Sequence, residues 1–490
     1  MLSLDEGTTS ARAALYGQDG VRTAMESNAF ACHYPQQGWV EQDANEIWNA
    51  QLDAARRTLA AAGAKPTDIA AIGITNQRET TIVWDRRTGE PVAPAIVWQC
   101  RRTADLCESL KSRGASGDVA ERTGLVIDAY FSGSKIRWIL DHVPDARARA
   151  RDGELLFGNV DTWLIWKLTG GAAHVTDPSN ASRTMLMNLE TGEWDEEMLR
   201  LFDVPAAMLP RIVGSSGVVG VAQAEHLGAG IPVAGIAGDQ QAALFGQACF
   251  RPGLSKNTYG TGCFALLHTG SARPVSKNRL LATRAASTNG SAQFAVEGSV
   301  FIAGAAVQWL RDQLGIIKTA EESESAAESV SGNGGVYFVP AFTGLGAPYW
   351  DMGARGTITG LTRGSSPAHI VRAALESIAY QTRDLVEAME ADSGERLTEL
   401  RVDGGATANN FLMQFQADIL GRRIVRPADI ETTALGAAYL AGLATGVWKS
   451  AAELESFWRV GRVFEPRISG NEQDTLYAGW KDAVRRARGV

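Results

Sequence analysis

Two short strings in this chain, Gly7-Thr8-Thr9 and Gly260-Thr261-Gly262, are Gly/Thr turns set between apolar stretches. Glycine lets a backbone approach a ligand closely, and consecutive N–H groups in such a turn form a nest for anions. One such turn is ordinarily just a connection between strands. A pair of them, with a third turn at Asp403-Gly404-Gly405, can close on a triphosphate from opposite sides. No GxxxxGK[ST] string occurs, so a P-loop is excluded. GTGCFA begins like a dinucleotide fingerprint, but the strand-like Ala265-Leu266-Leu267-His268 follows where that fold requires a helix.

Charged residues cluster in sequence near these turns. Asp5 ends the first apolar stretch and can hold Mg²⁺ through water, or simply bond its own turn. Arg12 on the returning strand is either a phosphate contact or a solvated residue, and spacing does not separate the two. Asp239 stands between a buried strand and a helix, which suits an N-cap. A carboxylate there also points into an inter-domain crevice, where it can accept a hydroxyl proton; the two roles can coexist. Arg78 and Glu79 are adjacent, so both face one ligand only if their strand has ended or bulged; otherwise they are a surface charge pair. Trp98, Tyr130 and Phe264 read singly as core or rim aromatics and together as an apolar pocket wall.

The elements that must position these residues alternate between strands and helices, an α/β pattern. LSLDEGTTSARAALYGQDG is strand, tight loop and strand. Met1 to Leu4 make a short first strand, so either the chain is clipped at its start or its assigned start codon lies a few residues late. From Asp43, with Glu46 in the capping-box position, an apolar stripe runs to a closing Gly63 and predicts a helix. Residues 69–75 and 80–85 predict strands, 231–238 a buried strand, and Asp239 onward a helix rich in Ala and Gly. Residues 256–270 repeat the opening strand–turn–strand, and 432–444 repeat the small-residue helix. That recurrence predicts an internal duplication with a boundary near residue 248. Residues 366–394 read as a packing helix behind Ser366-Pro367, 400–405 as a strand into a Gly turn, and 407–420 as a helix facing that turn. Residues 450–490 carry no usable motif beyond a helix near 475–489.

The bulk properties exclude several classes. With 490 residues, 45% of them hydrophobic and 21% charged, the chain exceeds what one core usually organises, so two or more domains are expected. A net charge of −8 and scattered Lys and Arg argue against nucleic acid. The absence of a signal-like start or a long apolar run predicts a cytoplasmic protein with no membrane insertion. Five cysteines without a CxxC pair read as reduced thiols, and six histidines without HxH or HExxH give a zinc site little support.

In order and spacing, nine strings resemble the glycerol kinases of the sugar-kinase family that shares the actin-like ATPase fold: LDEGTTSAR, GITNQRETTIVWD, IVWQCRRT, GLVIDAYFSGSKIRWIL, GIAGDQQAALFGQ, YGTGCFALLHTG, FVPAFTGLGAPYWD, DGGATANNFLMQFQADIL and TALGAAYLAGLA. The resemblance runs from about residue 2 to about residue 450. It implies two RNase-H-like domains with an active-site cleft between them: residues 1–248 carrying most of the polyol site and 249–490 most of the nucleotide site. It further implies that Arg78, Glu79, Tyr130, Asp239 and Gln240 hydrogen-bond glycerol, that Trp98 and Phe264 pack on its carbon face, and that Asp239 is the general base. Thr8, Thr9, Ser10 and Arg12 match the first phosphate loop, Thr261 the second, and Asp5 the metal position. Gly304, Gln308, Gly405 and Asn409 match positions near the nucleotide. The implied reaction is phosphorylation of glycerol to sn-glycerol 3-phosphate with ATP and Mg²⁺, by a homodimer or homotetramer. The alternatives are a kinase for another small polyol or ketose, against which NQRET argues, and a non-catalytic actin-like ATPase scaffold, which has no need of a polyol pocket.

Three positions depart from the family pattern. Glu6 stands where many of these kinases have Gln, and the extra carboxylate beside the phosphate turn predicts weaker nucleotide affinity or altered Mg²⁺ dependence. Gly230 replaces the Arg that relatives inhibited by fructose 1,6-bisphosphate carry before Ile-Pro, which predicts no such inhibition. His226 fits poorly the register of the His that a phosphotransferase carrier modifies in other relatives, and reads as an ordinary exposed residue.

Overall fold

The Gly/Thr turns join the first two strands of two similar sheets. In the computed structural model, which describes residues 1–288 and 290–489, β1 (Leu2–Glu6), β2 (Ser10–Tyr16) and β3 (Arg22–Ala29) form an antiparallel meander. β4 (Ile72–Asn76) pairs parallel to β1, and β5 (Ser216–Ala222) lines the edge antiparallel to β6 (Ile231–Gly238), itself parallel to β4. The first sheet thus has the order β5-β6-β4-β1-β2-β3. The second sheet repeats the plan. β7 (Ser255–Tyr259), β8 (Cys263–Gly270) and β10 (Phe294–Val300) are the meander, with β9 (Leu281–Arg284) beyond it. β11 (Glu399–Asp403) and β12 (Arg423–Pro427) follow in parallel, and β13 (Val460–Phe464) closes the edge. With the edge strand β5 and the inserted β9 set aside, both sheets contain the succession third, second, first, fourth, fifth strand, the RNase-H-like arrangement expected of each half.

Helix α1 (Ala44–Ala62) covers the outer face of the first sheet, packing Ile47, Trp48 and Leu59 on Leu2, Leu4 and Ala13. Asp43 starts it by accepting from the N–H groups of Asn45 and Glu46, and Gly63 ends it with a φ of 62°. His226 packs edge-on to Trp48 at 5.0 Å and its Nε2 lies 3.1 Å from the Lys167 carbonyl, so it is less free than its sequence context suggests.

The inner faces meet through two helices, α2 (Asp239–Gly246) and, far along the chain, α6 (Thr432–Ala444); between them come α3 (Gly304–Asp312), α4 (Pro367–Ser393) and α5 (Asn410–Leu420). A Cβ on Gly246 would overlap the Thr432 carbonyl oxygen, and one on Gly436 the Ala242 carbonyl oxygen, so α2 and α6 cross backbone to backbone. α6 then lies on the first sheet, its Ala434, Leu435 and Ala438 sharing a core with Ala14, Tyr16, Ala71 and Ala234. α2 leans on the second sheet, where Leu244 packs with Leu266 and Ala295. Each half therefore lends its small-residue helix to the other's sheet. Arg22–Asp429 at 3.0 Å and Trp448 Nε1 to the Gln18 carbonyl at 2.7 Å fasten the exchange.

The last forty residues, where the sequence offered no motif, complete the second half. Besides β13 they form α7 (Gly470–Arg488), whose Trp480 Nε1 donates to Asp384 at 2.9 Å and whose Tyr477 hydroxyl donates to the same carboxylate. The five cysteines are free. Among the described residues no helix is long and apolar enough to cross a membrane.

Candidate active site

β4 stops at Asn76, and the backbone then turns through Glu79, whose φ of 62° is left-handed. This ends the alternation that would separate neighbours: Arg78 Nε and Glu79 Oε1 lie 4.0 Å apart on one side of the chain. A non-glycine residue in that region costs on the order of 1–3 kcal/mol, and the surroundings must hold it. They do so through the Glu79 carbonyl, which accepts from Thr81 Oγ1 at 3.0 Å, Ser132 Oγ at 3.2 Å and Lys135 Nζ at 3.2 Å. Burial pulls the Lys135 ammonium down to about 7, against the pull of Glu79.

Arg78 and Glu79 are both fully buried, and so are the two residues that answer them. Arg78 forks onto Glu297 at 2.5 and 3.0 Å, while Arg183 reaches Glu79 at 2.6 Å and Glu297 at 3.0 Å. Burial alone would raise the Glu297 carboxyl, but Arg183 and Arg78 together hold it at about 2. The sequence reading missed Arg183 and Glu297. An isolated Glu inside the apolar string FAVEGSV was the one available signal, since a charge in a central strand must be paired.

Asp239 sits where β6 meets α2, but not as the cap. Gly238 takes the cap position with extended backbone angles, and Asp239 is the first helical residue. The cap expectation therefore shifts by one residue. The carboxylate instead accepts from the Gln240 N–H at 2.7 Å and from Arg78 Nε at 3.0 Å, while its second oxygen accepts from Gln240 Nε2 at 3.1 Å. Its side chain keeps 31% of its exposure, which leaves it open to the cleft beside a buried guanidinium. Gln240 is oriented in turn by Lys256, a third missed residue, whose Nζ also donates to Thr258 Oγ1 at 2.8 Å and the Phe264 carbonyl at 3.2 Å. Burial pulls the Lys256 ammonium down to about 8, with Asp403 and Asp239 opposing that shift.

The three aromatics do form one wall. Trp98 meets Tyr130 at 5.6 Å and Phe264 at 6.4 Å, both edge-on, so the first half supplies two rings and the second half one. Trp98 Nε1 also donates to Thr8 Oγ1 at 2.9 Å, which ties the wall to the first Gly/Thr turn.

In that turn the Gly7 N–H bonds the Ser10 carbonyl at 3.0 Å, with Thr9 exposed at the tip. Arg12 keeps a third of its side chain exposed but is not free: it pairs with Asp5 at 2.9 Å and with Glu431 at 3.1 Å. In the second turn the Gly260 N–H bonds the Gly262 carbonyl at 2.9 Å, leaving Thr261 exposed. The start of α3 docks there, Gly304 N–H on the Gly260 carbonyl at 3.0 Å, and Gln308 lies exposed one turn further along the same face. The third turn follows β11. Gly404 adopts a φ of 89°, and a Cβ there would stand 2.6 Å from the Tyr259 carbonyl oxygen, so only glycine brings this turn against the second hairpin. Gly405 is exposed, whereas Asn409 caps α5 by accepting from the Leu412 N–H at 2.9 Å.

Asp5 lies at the base of this cleft, buried, with burial raising its carboxyl to about 6 against the pull of Arg12. Asp239 is near enough to raise it further. Among the described residues no group of three or more His, Cys, Asp or Glu is set to hold a metal. A single acidic position suits Mg²⁺, which keeps several waters and takes few carboxylates beside phosphate oxygens. Glu6 belongs elsewhere: strand alternation turns it to the α1 face with Leu2 and Leu4, fully buried and with neither carboxylate oxygen hydrogen-bonded.

Residues 1–246 match the N-terminal domain, and residues 255–445 the C-terminal domain, of the FGGY family of carbohydrate kinases. The chain is 60% identical over 489 residues to glycerol kinase 2 of Thermotoga maritima, covering 100% of this chain and 99% of the relative. It is likewise 60% identical to a glycerol kinase of Symbiobacterium thermophilum, covering 100% and 98%. Among solved structures, Plasmodium falciparum glycerol kinase with ADP superposes with a TM-score of 0.93 at 36% identity, covering 99% of this chain and 97% of that one. A xylulose kinase from Lactobacillus acidophilus, at 22% identity and a TM-score of 0.89 with 100% and 98% covered, shares the fold.

Proposed function

The chain belongs to the FGGY family of carbohydrate kinases, and on that premise we propose that it transfers the terminal phosphoryl group of ATP to glycerol, giving sn-glycerol 3-phosphate. The observation that carries the reading is the seating of Asp239: a partly exposed carboxylate bonded to the buried Arg78 and to Gln240, whose partner Lys256 also holds the carbonyl of Phe264 in the aromatic wall.

Arg78, Glu79, Tyr130 and Gln240 read the hydroxyl groups, and the aromatic wall takes the carbon face. A buried polar site of this kind rejects an acceptor that leaves its groups unpaired. Asp239 takes the proton from the hydroxyl that attacks the γ-phosphorus. The new P–O bond forms as the bond to the bridging oxygen breaks, and ADP leaves. Because phosphoryl transfer has a loose transition state, the chain's task is to align that oxygen and exclude water. Thr8, Thr9, Ser10 and Arg12 on one side and Thr261 on the other hold the phosphates, and Gly304, Gln308, Gly405 and Asn409 flank the nucleotide. Asp5 is the position for Mg²⁺, which when bound neutralises phosphate charge. Residues 1–248 carry most of the polyol site and 249–490 most of the nucleotide site. A cytoplasmic homodimer or homotetramer completes the reading.

The test is ADP release from wild type and Asp239→Asn, with Mg·ATP and separately glycerol, dihydroxyacetone, erythritol, xylulose or no acceptor. Glycerol is expected to stimulate most, and the variant to lose at least roughly the 10²-fold expected of a general base. A different best acceptor changes the substrate but keeps the base. An ATP-binding protein that no acceptor stimulates is a scaffold.

A further inference from the structure

Four charged side chains under the acceptor pocket do more than fill the core. Arg78, Glu79 and Arg183 come from the first half, and Glu297 from β10 of the second. All four are at most 3% exposed. Resting on the acceptor reading above, we infer that Glu297 is a positioning residue of the polyol site. It fixes the Arg78 guanidinium directly and the Glu79 carboxylate through Arg183, so the hydroxyl-reading groups are set only when the two halves are seated together.

Donor counting supports this. A guanidinium has five N–H groups. In Arg78, Nε donates to Asp239, Nη1 to Glu297 Oε2 and, at 3.3 Å, to Gln241, and Nη2 to Glu297 Oε1. One Nη2 hydrogen remains for a substrate hydroxyl, and Glu297 decides where it points. Arg183 works one step further back, with Nε on Glu79 Oε1 and Nη2 on the Glu297 oxygen that Arg78 shares. Glu79 thereby keeps its other oxygen uncommitted within the pocket.

The energetics argue against a merely structural tetrad. Glu297 pairs across the sheet with Leu266 and Leu281, so both of its cross-strand neighbours are apolar. Replacing a buried ion network by apolar side chains is often neutral or stabilising, so stability alone does not call for four charges. Without Glu297, however, two guanidiniums of the same half share a dry site with only Glu79 and the partly exposed Asp239 to balance them. Arg78 would then swing toward those carboxylates and away from the hydroxyl-reading direction.

The experiment is the steady-state comparison of wild type, Glu297→Gln and the double variant Arg183→Gln/Glu297→Gln, varying glycerol and ATP separately. The expected result in both variants is a glycerol KM raised at least roughly tenfold, the scale of a misplaced hydrogen-bonding group, with the ATP KM unchanged within about twofold. The double variant removes one charge of each sign, so it reports on positioning where the single variant folds poorly. A glycerol KM that stays at the wild-type value, or one that rises in step with the ATP KM, overturns the inference. A wild type without glycerol-dependent turnover removes the acceptor reading instead. If neither variant folds, the wild-type crystal structure with glycerol decides. Arg78 held on Glu297, with its remaining N–H on a glycerol hydroxyl, supports the assignment; Arg78 released from Glu297 in the complex refutes it.

Discussion

The two halves share one sheet plan and differ at the strand ends. Where the fourth strand of the first half ends, Arg78 and Glu79 enter a buried polar cluster; where that of the second half ends, Gly404 and Gly405 make a bare turn. Where the fifth strand of the first half ends, Asp239 opens a helix toward the cleft. At the matching place in the second half, Thr432 donates to the buried Asp403 and Glu431 ties down Arg12 of the opposite hairpin. The repeated plan supplies two Gly/Thr turns of one design, and the strand ends differ. On the proposed function, side chains with donors and acceptors would read the acceptor in one half, while glycines would leave room for the nucleotide in the other.

The sharpest way to break this comparison is to remove one carboxylate from each of the matched junctions. Asp239→Asn is expected to lower kcat at least roughly 10²-fold, and Glu431→Gln, which loses only an ion pair with a third-exposed Arg12, much less. Equal losses in ADP-release assays would mean that the junctions are not specialised. The crossing of α2 and α6 comes next. Gly436→Ala places a methyl group against the Ala242 carbonyl, where neither backbone can yield, and is expected to cost about 2 kcal/mol in denaturant unfolding. A neutral result would show that the halves do not depend on close contact there.

A smaller effect separates the two halves by pH. Glu297 falls from its ordinary 4.5 to about 2 in the folded protein, so its contribution to stability is present above 4.5 and is lost as pH drops toward 2. Wild type is therefore expected to lose an increment of stability across that window that Glu297→Gln lacks. Glu79, which burial pushes upward, works in the opposite sense in both proteins. Parallel unfolding midpoints for the two proteins through this window would show that the second half does not hold the pair across the cleft.

Local chemistry made much of the plan legible. Each hairpin turn was visible because Gly and Thr interrupt apolar alternation, and α1 because Asp43 and Gly63 bracket its stripe. What was not legible depends on partners far apart in the chain. Ala and Gly in 432–444 signal close packing but do not say on which sheet, and the answer is the sheet of the other half. Arg183 lies 104 residues from Glu79 and Glu297 lies 219 from Arg78, so no local spacing could pair them. Asp239 was misplaced by one position because Gly and Asp are both good caps, and only the backbone angles show that Gly238 takes that role. α7 was visible only as a helix, because its partner Asp384 sits inside α4.

The smallest predicted effect concerns the residues just before the two hairpins. Asp5-Glu6 precedes the first turn and Thr258-Tyr259 the second. Tyr259 is buried but satisfied, its hydroxyl donating to Gln416 at 2.7 Å, whereas Glu6 is buried with both oxygens unpaired. Burial first, and then the neighbouring Asp5, push the Glu6 carboxyl well above its ordinary value. Beside a phosphate, such a carboxyl would weaken nucleotide binding, but strand alternation turns Glu6 to the sheet face of Leu2 and Leu4, opposite Asp5. Its cost should therefore appear in stability and not in catalysis. Glu6→Gln keeps the shape and removes the ionisable group, so a gain of about 1 kcal/mol is expected, with the ATP KM unchanged within roughly twofold. Thermal melts and ATP titrations of the two proteins decide between the two. A lowered ATP KM without a stability gain would place Glu6 with the phosphate turn, and the first hairpin would then differ from the second in its ligand contacts as well as in its core.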